Sequence, residues 1–458
     1  MVAPGGFLVR IMGRNILRRR PSQGLETGTR HVASGDPKTQ WHSSLAPGGL
    51  SNHWTGAVPR FAPDDFWEGA RLDECYRWPV TYDELAPYYD EVEPFLVITA
   101  DPRNVPSLPA SHAAYSRRLP RDWQSIAKSA MARGQGLTML PLADGPPWML
   151  TRRGTAFNSF TNIVRPLLRY PHFRLITGAH VLQLEWSASE NRVTSIIYYN
   201  RVTGSQERME ATAVVVAGGP LNSTKLLLDS VSTTFPDGLG NTEGLLGRYL
   251  HDHPREWWVL DIDKPLSRLS PAAYLTRIPY AEASPLLATS WTLGSPTTRD
   301  KVLSLLAMKG RTVGVQVLGT MIPTENHFVK PDDDKRDEFG LPILNICIRF
   351  SDDVTANMIS ARERLVSIMQ DAGYSAQIRD VAPQLYPGSS VHYGGTIRMH
   401  RSPKYGVTDA WNRIYGAPNV VVVDASCFTT GPEKNPTLTA MAIAARAADR
   451  LVDDLKAR

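Results

Sequence analysis

The chain has 458 residues, 42% apolar and 21% charged, which excludes collagen-like, coiled-coil and wholly disordered classes and leaves material for two or three domains. Its formal charge is +5, but its 50 basic and 45 acidic residues are interspersed, so no basic face for a nucleic acid is expected. No run of about 18 uncharged apolar residues predicts a membrane span. Cys75, Cys347 and Cys427 make no CxxC, no zinc spacing and no even-numbered disulfide framework.

A cytoplasmic, reducing setting is the simplest expectation for such cysteine usage. Arg10, Arg14, Arg18, Arg19 and Arg20 precede the first acid, Glu26. Such a start fits either a mitochondrial transit peptide or a basic loop of the folded domain. Residues 43–63, rich in Gly, Pro, Ser and Trp, read as an ordered loop. From Thr81 an amphipathic helix is expected, with Thr81 as N-cap and Glu84 closing a capping box. Residues 100–150 read as Pro-rich and irregular. Short strands are expected at 173–177, 179–186 and 193–200. The run AVVVA at 213–217 predicts a strand buried on both faces. It ends in Gly218-Gly219-Pro220, with Asn222-Ser223 placed to cap a following helix. Residues 255–385 mix strand-like runs such as 343–350 with one helix over 353–372, as in a separate α+β module. The C-terminal end repeats the earlier unit. VVVV at 420–423 predicts a buried strand, then Asn435 as N-cap and Pro436 at the first helical position open a long helix.

Two such units predict an open parallel sheet with its ligand beyond the carboxyl ends of the strands. The helix starting at Asn435 would aim unpaired N–H groups and partial positive charge into that crevice. His392 sits in the Gly-rich SVHYGGT, where an imidazole can accept a proton near neutral pH. His53 sits in another tight loop, GLSNHWT. His251-Asp252-His253 invites a metal reading, but no third ligand pattern lies near, so a structural role is expected and no metal site is assigned.

Six segments together resemble the glucose-methanol-choline (GMC) family of flavin oxidoreductases, in its pyranose 2-oxidase-like branch. They are GGLSNHWTGAVPRF (48–61), WPVTYDELAPYYDEVE (78–93), AVVVAGGPLNSTKLLL (213–228), LLGRYLHDHP (245–254), HYGGTIRM (392–399) and VVVVDASCFTTGPEKNPTLTAMAIAARAADRL (420–451). They fall in the family's order and leave only 256–385 divergent. The resemblance implies an α/β fold with a discontinuous Rossmann-like FAD-binding domain (1–75, 151–255 and 386–458). It also implies an α+β substrate domain with an antiparallel sheet (76–150 and 256–385).

It further implies that His392 is the catalytic histidine and Asn435 its partner. His53 would occupy the position bonded covalently to the flavin in this branch, with Asn52 beside it and Thr55 facing the reactive ring edge. Asp424, Ala425, Pro436 and Thr437 would meet the FAD pyrophosphate, ribityl and pyrimidine. Val181 would hold the adenine, with Ala217 and Gly218 beside it. The expected reaction oxidises the CH–OH of a sugar or other alcohol to a carbonyl, with oxygen or quinone as final acceptor. One departure stands out: the family's opening GxGxxG, whose glycines admit the pyrophosphate, is missing, since neither Gly134-Gln-Gly136 nor Gly238-Leu-Gly240 continues correctly. On that ground the first βαβ unit is expected to be lacking and the chain to load flavin poorly. A flavin-fold lyase, a catalytically inactive homologue and a basic binding module are the competing readings.

Overall fold

The computed structural model describes residues 26–27, 31–34, 39, 41–113, 115–143, 157–269, 272–279, 286–294, 308–379 and 385–457. The basic stretch 1–20 lies outside them. Among the described residues no helix is long and apolar enough to cross a membrane.

The two repeated units build a small parallel sheet. Val214–Val216 pairs in parallel with Ala417–Val422, and Arg413–Ile414 adds an antiparallel edge. Among the described residues nothing covers the second face of the first strand, so the expectation of burial on both faces fails there: Val214 and Val216 point into the core, while Val215 is 51% exposed. Each strand runs into a helix, Gly219–Asp229 after the first and Thr437–Lys456 after the second. Both helix starts differ from expectation. The first is capped at Gly218, one turn ahead of Asn222-Ser223, because Ser223 Oγ accepts from the Gly218 N–H (2.9 Å) inside the helix. The second is capped at Pro436, because the Asn435 side chain is drawn away to His392.

A meander of Ala179–Ser187, Arg192–Asn200 and Ser205–Glu210 continues this half. Residues 173–177, expected as a strand, form none; the chain there turns on the surface before the meander begins. Phe328–Arg336 pairs with Pro342–Cys347, which is joined in parallel by His31–Ala33. Leu344 and Ile346 from this ladder, with Ile348 just beyond it, share one core with Val214, Val216, Val420 and Val422.

The other half is a six-stranded antiparallel sheet in the order Ala376–Arg379, Arg255–Ser267, Lys309–Gly319, Ala288–Leu293, Ala273–Pro279 and Leu137–Met139. The helix Asp352–Asp371 lies on it through Met358, Ala361, Leu365 and Ile368. Residues 100–150 are thus less irregular than expected: they supply the strand Leu137–Met139 and the helix Gln124–Ala132, whose Ile126 and Ala130 enter the same core.

A third core joins the halves. The helix Tyr82–Leu96 has the expected capping box, with Thr81 Oγ1 accepting from Glu84 N–H and Glu84 Oε2 from Thr81 N–H. It packs on the Thr437–Lys456 helix through Leu85, Tyr89 and Leu96 against Leu438, Ala442 and Ile443. Tyr89 and Thr439 share a buried hydroxyl hydrogen bond (2.7 Å) at the start of the C-terminal helix. The ring of Phe428 meets Phe61 and Trp78 at 5.7 and 5.3 Å between centroids, fixing the chain that leads to Asn435.

Candidate active site

His392 and Asn435 come together from segments 43 residues apart, with Asn435 Nδ2 3.1 Å from His392 Nε2. Three features hold His392. Its backbone N–H donates to Asp252 Oδ1 (3.0 Å), and Asp252 Oδ2 accepts from Gly388 N–H (2.8 Å), so one buried carboxylate ties down both ends of the 388–392 loop. The Ser390 hydroxyl donates to the same carboxylate. The His392 Nδ1 lies 3.0 Å from His253 Nδ1. His251 explains the glycines of HYGGT: a Cβ on Gly394 would sit 2.4 Å from its ring, and one on Gly395 2.7 Å from it. His251 fills that space as a packed core residue, as expected. His253 does not: it is an immediate neighbour of the candidate base.

His392 is partly buried, with protein packed around most of its ring. Burial, then the neighbouring His253 and Arg255, holds its pKa well below the ordinary imidazole value. His253 is pushed down to about 4 and His251 to about 3, in both cases mainly by burial. At neutral pH all three rings are therefore neutral, and His392 can accept a proton.

Asn435 rests on a buried charge network that sequence reasoning missed. Lys434 Nζ pairs with Asp65 Oδ2 at 2.8 Å and Glu433 Oε1 at 2.9 Å, all three side chains being 0% exposed. Arg277 joins through Asp65 (3.0 Å) and Glu68. Ser290 Oγ, on the antiparallel sheet, donates to the Glu433 carbonyl (3.0 Å), and Trp78 Nε1 to Thr430 Oγ1 (2.7 Å). The loop is thereby fastened to the sheet and to the Trp78 cluster. The only signal in the sequence was a Glu-Lys pair in the turn-like stretch TTGPEKNPT, which reads equally well as a solvated turn.

Asp424 bridges the two parallel units. Its Oδ2 accepts from Gly219 N–H (2.9 Å) and Ser223 Oγ–H (2.5 Å), and its Oδ1 from Ser426 N–H (2.9 Å). Ala217 and Gly218 are exposed at the carboxyl end of the first strand, and Val181 is 41% exposed on the meander. Ala425 opens the short turn after Asp424, and Pro436 and Thr437 begin the C-terminal helix. The 48–55 loop forms a single 3-10 turn, Gly49–Asn52, ending at His53. Asn52 Oδ1 accepts from Asn158 Nδ2 (2.5 Å), Trp54 Nε1 donates to the Phe157 carbonyl (2.9 Å), and Thr55 is exposed. His53 Nε2 is buried without a hydrogen-bond partner among the described residues.

Among the described residues one trio, Asp90, Glu93 and His112, has metal-ligand proximity, and Arg60 already holds both of its carboxylates.

The family models of GMC oxidoreductases match residues 76–255 and 324–444. The chain belongs to the GMC oxidoreductase family. It is 26% identical to 2-methyl-1,2-propanediol dehydrogenase of Mycolicibacterium austroafricanum, over 88% of this chain and 80% of that one. It is 22% identical to pyranose 2-oxidase of Lyophyllum shimeji, over 89% and 71%. Pyridoxine 4-oxidase from Mesorbium loti shares its fold, with a TM-score of 0.61 at 18% identity, over 90% of this chain and 85% of that one. The GMC chain is accordingly an FAD-dependent oxidoreductase of CH–OH donors, built as a nucleotide-binding half and a substrate half.

The residues present fit FAD. The Gly219–Asp229 helix opens directly at the carboxyl end of its parallel strand, beside the Asp424 turn that ends the second strand, and N–H groups and the dipole of such a terminus suit a pyrophosphate. The Nε2 of His53 is a buried nitrogen with no hydrogen-bond partner among the described residues.

Proposed function

We propose that this enzyme oxidises a secondary or primary alcohol of a sugar or polyol, with His392 as the base and Asn435 as the second contact to the reacting oxygen. The observation that carries this reading is the 3.1 Å approach of Asn435 Nδ2 to His392 Nε2 on a ring kept neutral by burial. Loss of hydride from a carbinol carbon requires the hydroxyl proton to leave. His392 Nε2 takes that proton, and the Asn435 amide N–H donates to the same oxygen, orienting the C–H. Bound FAD supplies the hydride acceptor. With FAD bound, the partial positive charge at the N-terminus of the Thr437–Lys456 helix would stabilise the negative charge that accompanies reduction.

For the cofactor, Asp424, Ala425, Pro436 and Thr437 would hold its middle, and Val181, Ala217 and Gly218 its nucleotide end. Asn52, His53 and Thr55 would lie at the ring, with His53 Nε2 as the attachment atom. Residues 1–75, 151–255 and 386–458 would form the FAD-binding part, and 76–150 with 256–385 the substrate part. The relatives' printed names, covering a diol dehydrogenase, a fructose dehydrogenase large subunit and sugar oxidases, favour a polyhydroxylated substrate. Either oxygen or a quinone would reoxidise the enzyme. Anaerobic addition of diols and sugars to the flavin-loaded protein should bleach the flavin; a spectrum unchanged by every alcohol would favour the lyase or inactive reading.

A further inference from the structure

We propose that His253 is a positioning residue that fixes the tautomer of His392, placing the ring proton on Nδ1 and the lone pair on Nε2. This rests on the reading of His392 as the base. The argument starts from a backbone carbonyl. His253 makes two ring hydrogen bonds, one to the Pro432 carbonyl and one between its Nδ1 and His392 Nδ1 at 3.0 Å. A carbonyl can only accept. The bond to Pro432 therefore puts the His253 proton on Nε2, the nitrogen not facing His392. His253 Nδ1 is then a lone pair, so His392 Nδ1 must carry the proton that joins them. A neutral ring has one such proton. His392 Nε2 is left bare, facing Asn435 Nδ2, and the same logic orients the Asn435 amide with its N–H inward.

One carbonyl thus sets two tautomers and an amide rotamer. Each link needs neutral rings. The groups facing them favour that state: Lys434 stands near His253, and Arg255 and His253 near His392, so a further positive charge is opposed from both sides. Asp252, the acid nearest the loop, is occupied by the Gly388 and His392 backbone N–H groups and by Ser390. The edge-on geometry of the two rings, 5.0 Å between centroids at 74°, suits an in-plane N–H···N bond from at least one of them. Without His253, Nδ1–H would lose its buried acceptor, and the alternative tautomer, with Nε2–H donating toward Asn435 Oδ1, would become competitive. That tautomer cannot take the substrate proton at Nε2.

The test combines a structural readout with kinetics. Protein labelled with 15N in its histidine rings, assigned by the loss of signals in His392→Gln, should show a bare Nε2 and a protonated Nδ1 at His392. In His253→Leu the His392 signals should move toward a mixture of tautomers. The rate constant of anaerobic flavin reduction should fall about 10- to 100-fold, the scale of losing a partner that orients a functional histidine. His253→Gln, whose Oε1 can accept from Nδ1–H, should recover most of that loss. Should His253→Leu fail to fold, the wild-type ring signals and the Gln variant still decide. A proton on Nε2 in the wild type, or unchanged signals and rate in His253→Leu, overturns the proposal. If His392→Ala slows reduction while His253→Leu does not, only this relay fails. If His392→Ala reduces normally, the functional reading fails first.

Discussion

Lys434→Met should be among the most damaging single changes in the chain outside the reacting groups. Lys434 Nζ stands 2.8 Å from Asp65 and 2.9 Å from Glu433, with no solvent access to any of the three side chains. At an effective dielectric of about 20, each pair at that separation attracts by about 6 kcal/mol. Most of that gain is offset by the cost of stripping water from the ions. Breaking such a pair nevertheless leaves its carboxylates stranded, at a net cost of about 3–5 kcal/mol. Met preserves the apolar stem, so the loss is electrostatic rather than a cavity. Arg277 would then face Asp65, Glu68 and Glu433 alone. A typical domain has about 5–15 kcal/mol of stability, so the variant should unfold at markedly lower urea, followed by tryptophan fluorescence. Lys434→Met combined with Glu433→Gln should recover part of the loss. The sign with pH follows from the Lys434 pKa, which is raised because its attraction to Asp65 and Glu433 outweighs the opposing effect of burial. The stabilisation is complete below about 10.5, the unfolded value, and fades as pH climbs through the higher folded value, so the two proteins should converge in strong alkali. A loss under about 1 kcal/mol, or one independent of alkali, would refute the reasoning.

Two other outcomes are expected. Once loaded with flavin, the protein should retain it in the pellet after acid precipitation and His53→Ala should release it; release from the loaded wild type would remove His53 as the attachment site. The depressed pKa values of His251, His253 and His392 mean that stability is complete above about 6.5 and lost as pH falls below it. Each ring contributes about 1.4 kcal/mol per pH unit until its folded value is reached. His253→Gln should make the urea-derived slope between pH 6 and 4.5 shallower by about that amount, and an unchanged slope would contradict the burial argument.

Much of the nucleotide half was legible because its signals are local. A valine run, a tight turn and an amphipathic helix recur in AVVVAGGP and in VVVVDAS with its helix, and the parallel pair Val214–Val216 and Ala417–Val422 follows. The capping box of Thr81 and Glu84 is equally local. Cap positions failed where a polar side chain had a distant partner, as Asn435 has in His392. Val215 failed because burial depends on what lies beyond a strand, which no window of residues contains. The same limit hid His253: beside Asp252 it reads as packing, and its meaning comes from a loop 139 residues away. Glu433 and Lys434 went unread because their partners, Asp65 and Arg277, are remote in sequence.

The central claim is that His392 removes the substrate proton, and the rate constant of anaerobic flavin reduction in His392→Ala tests it most directly. With an alcohol that bleaches the wild type, the variant should keep its oxidised absorbance spectrum and reduce about 10²- to 10⁴-fold more slowly, the range of a lost general base. A rate within a few-fold of the wild type, with the spectrum intact, would contradict the account.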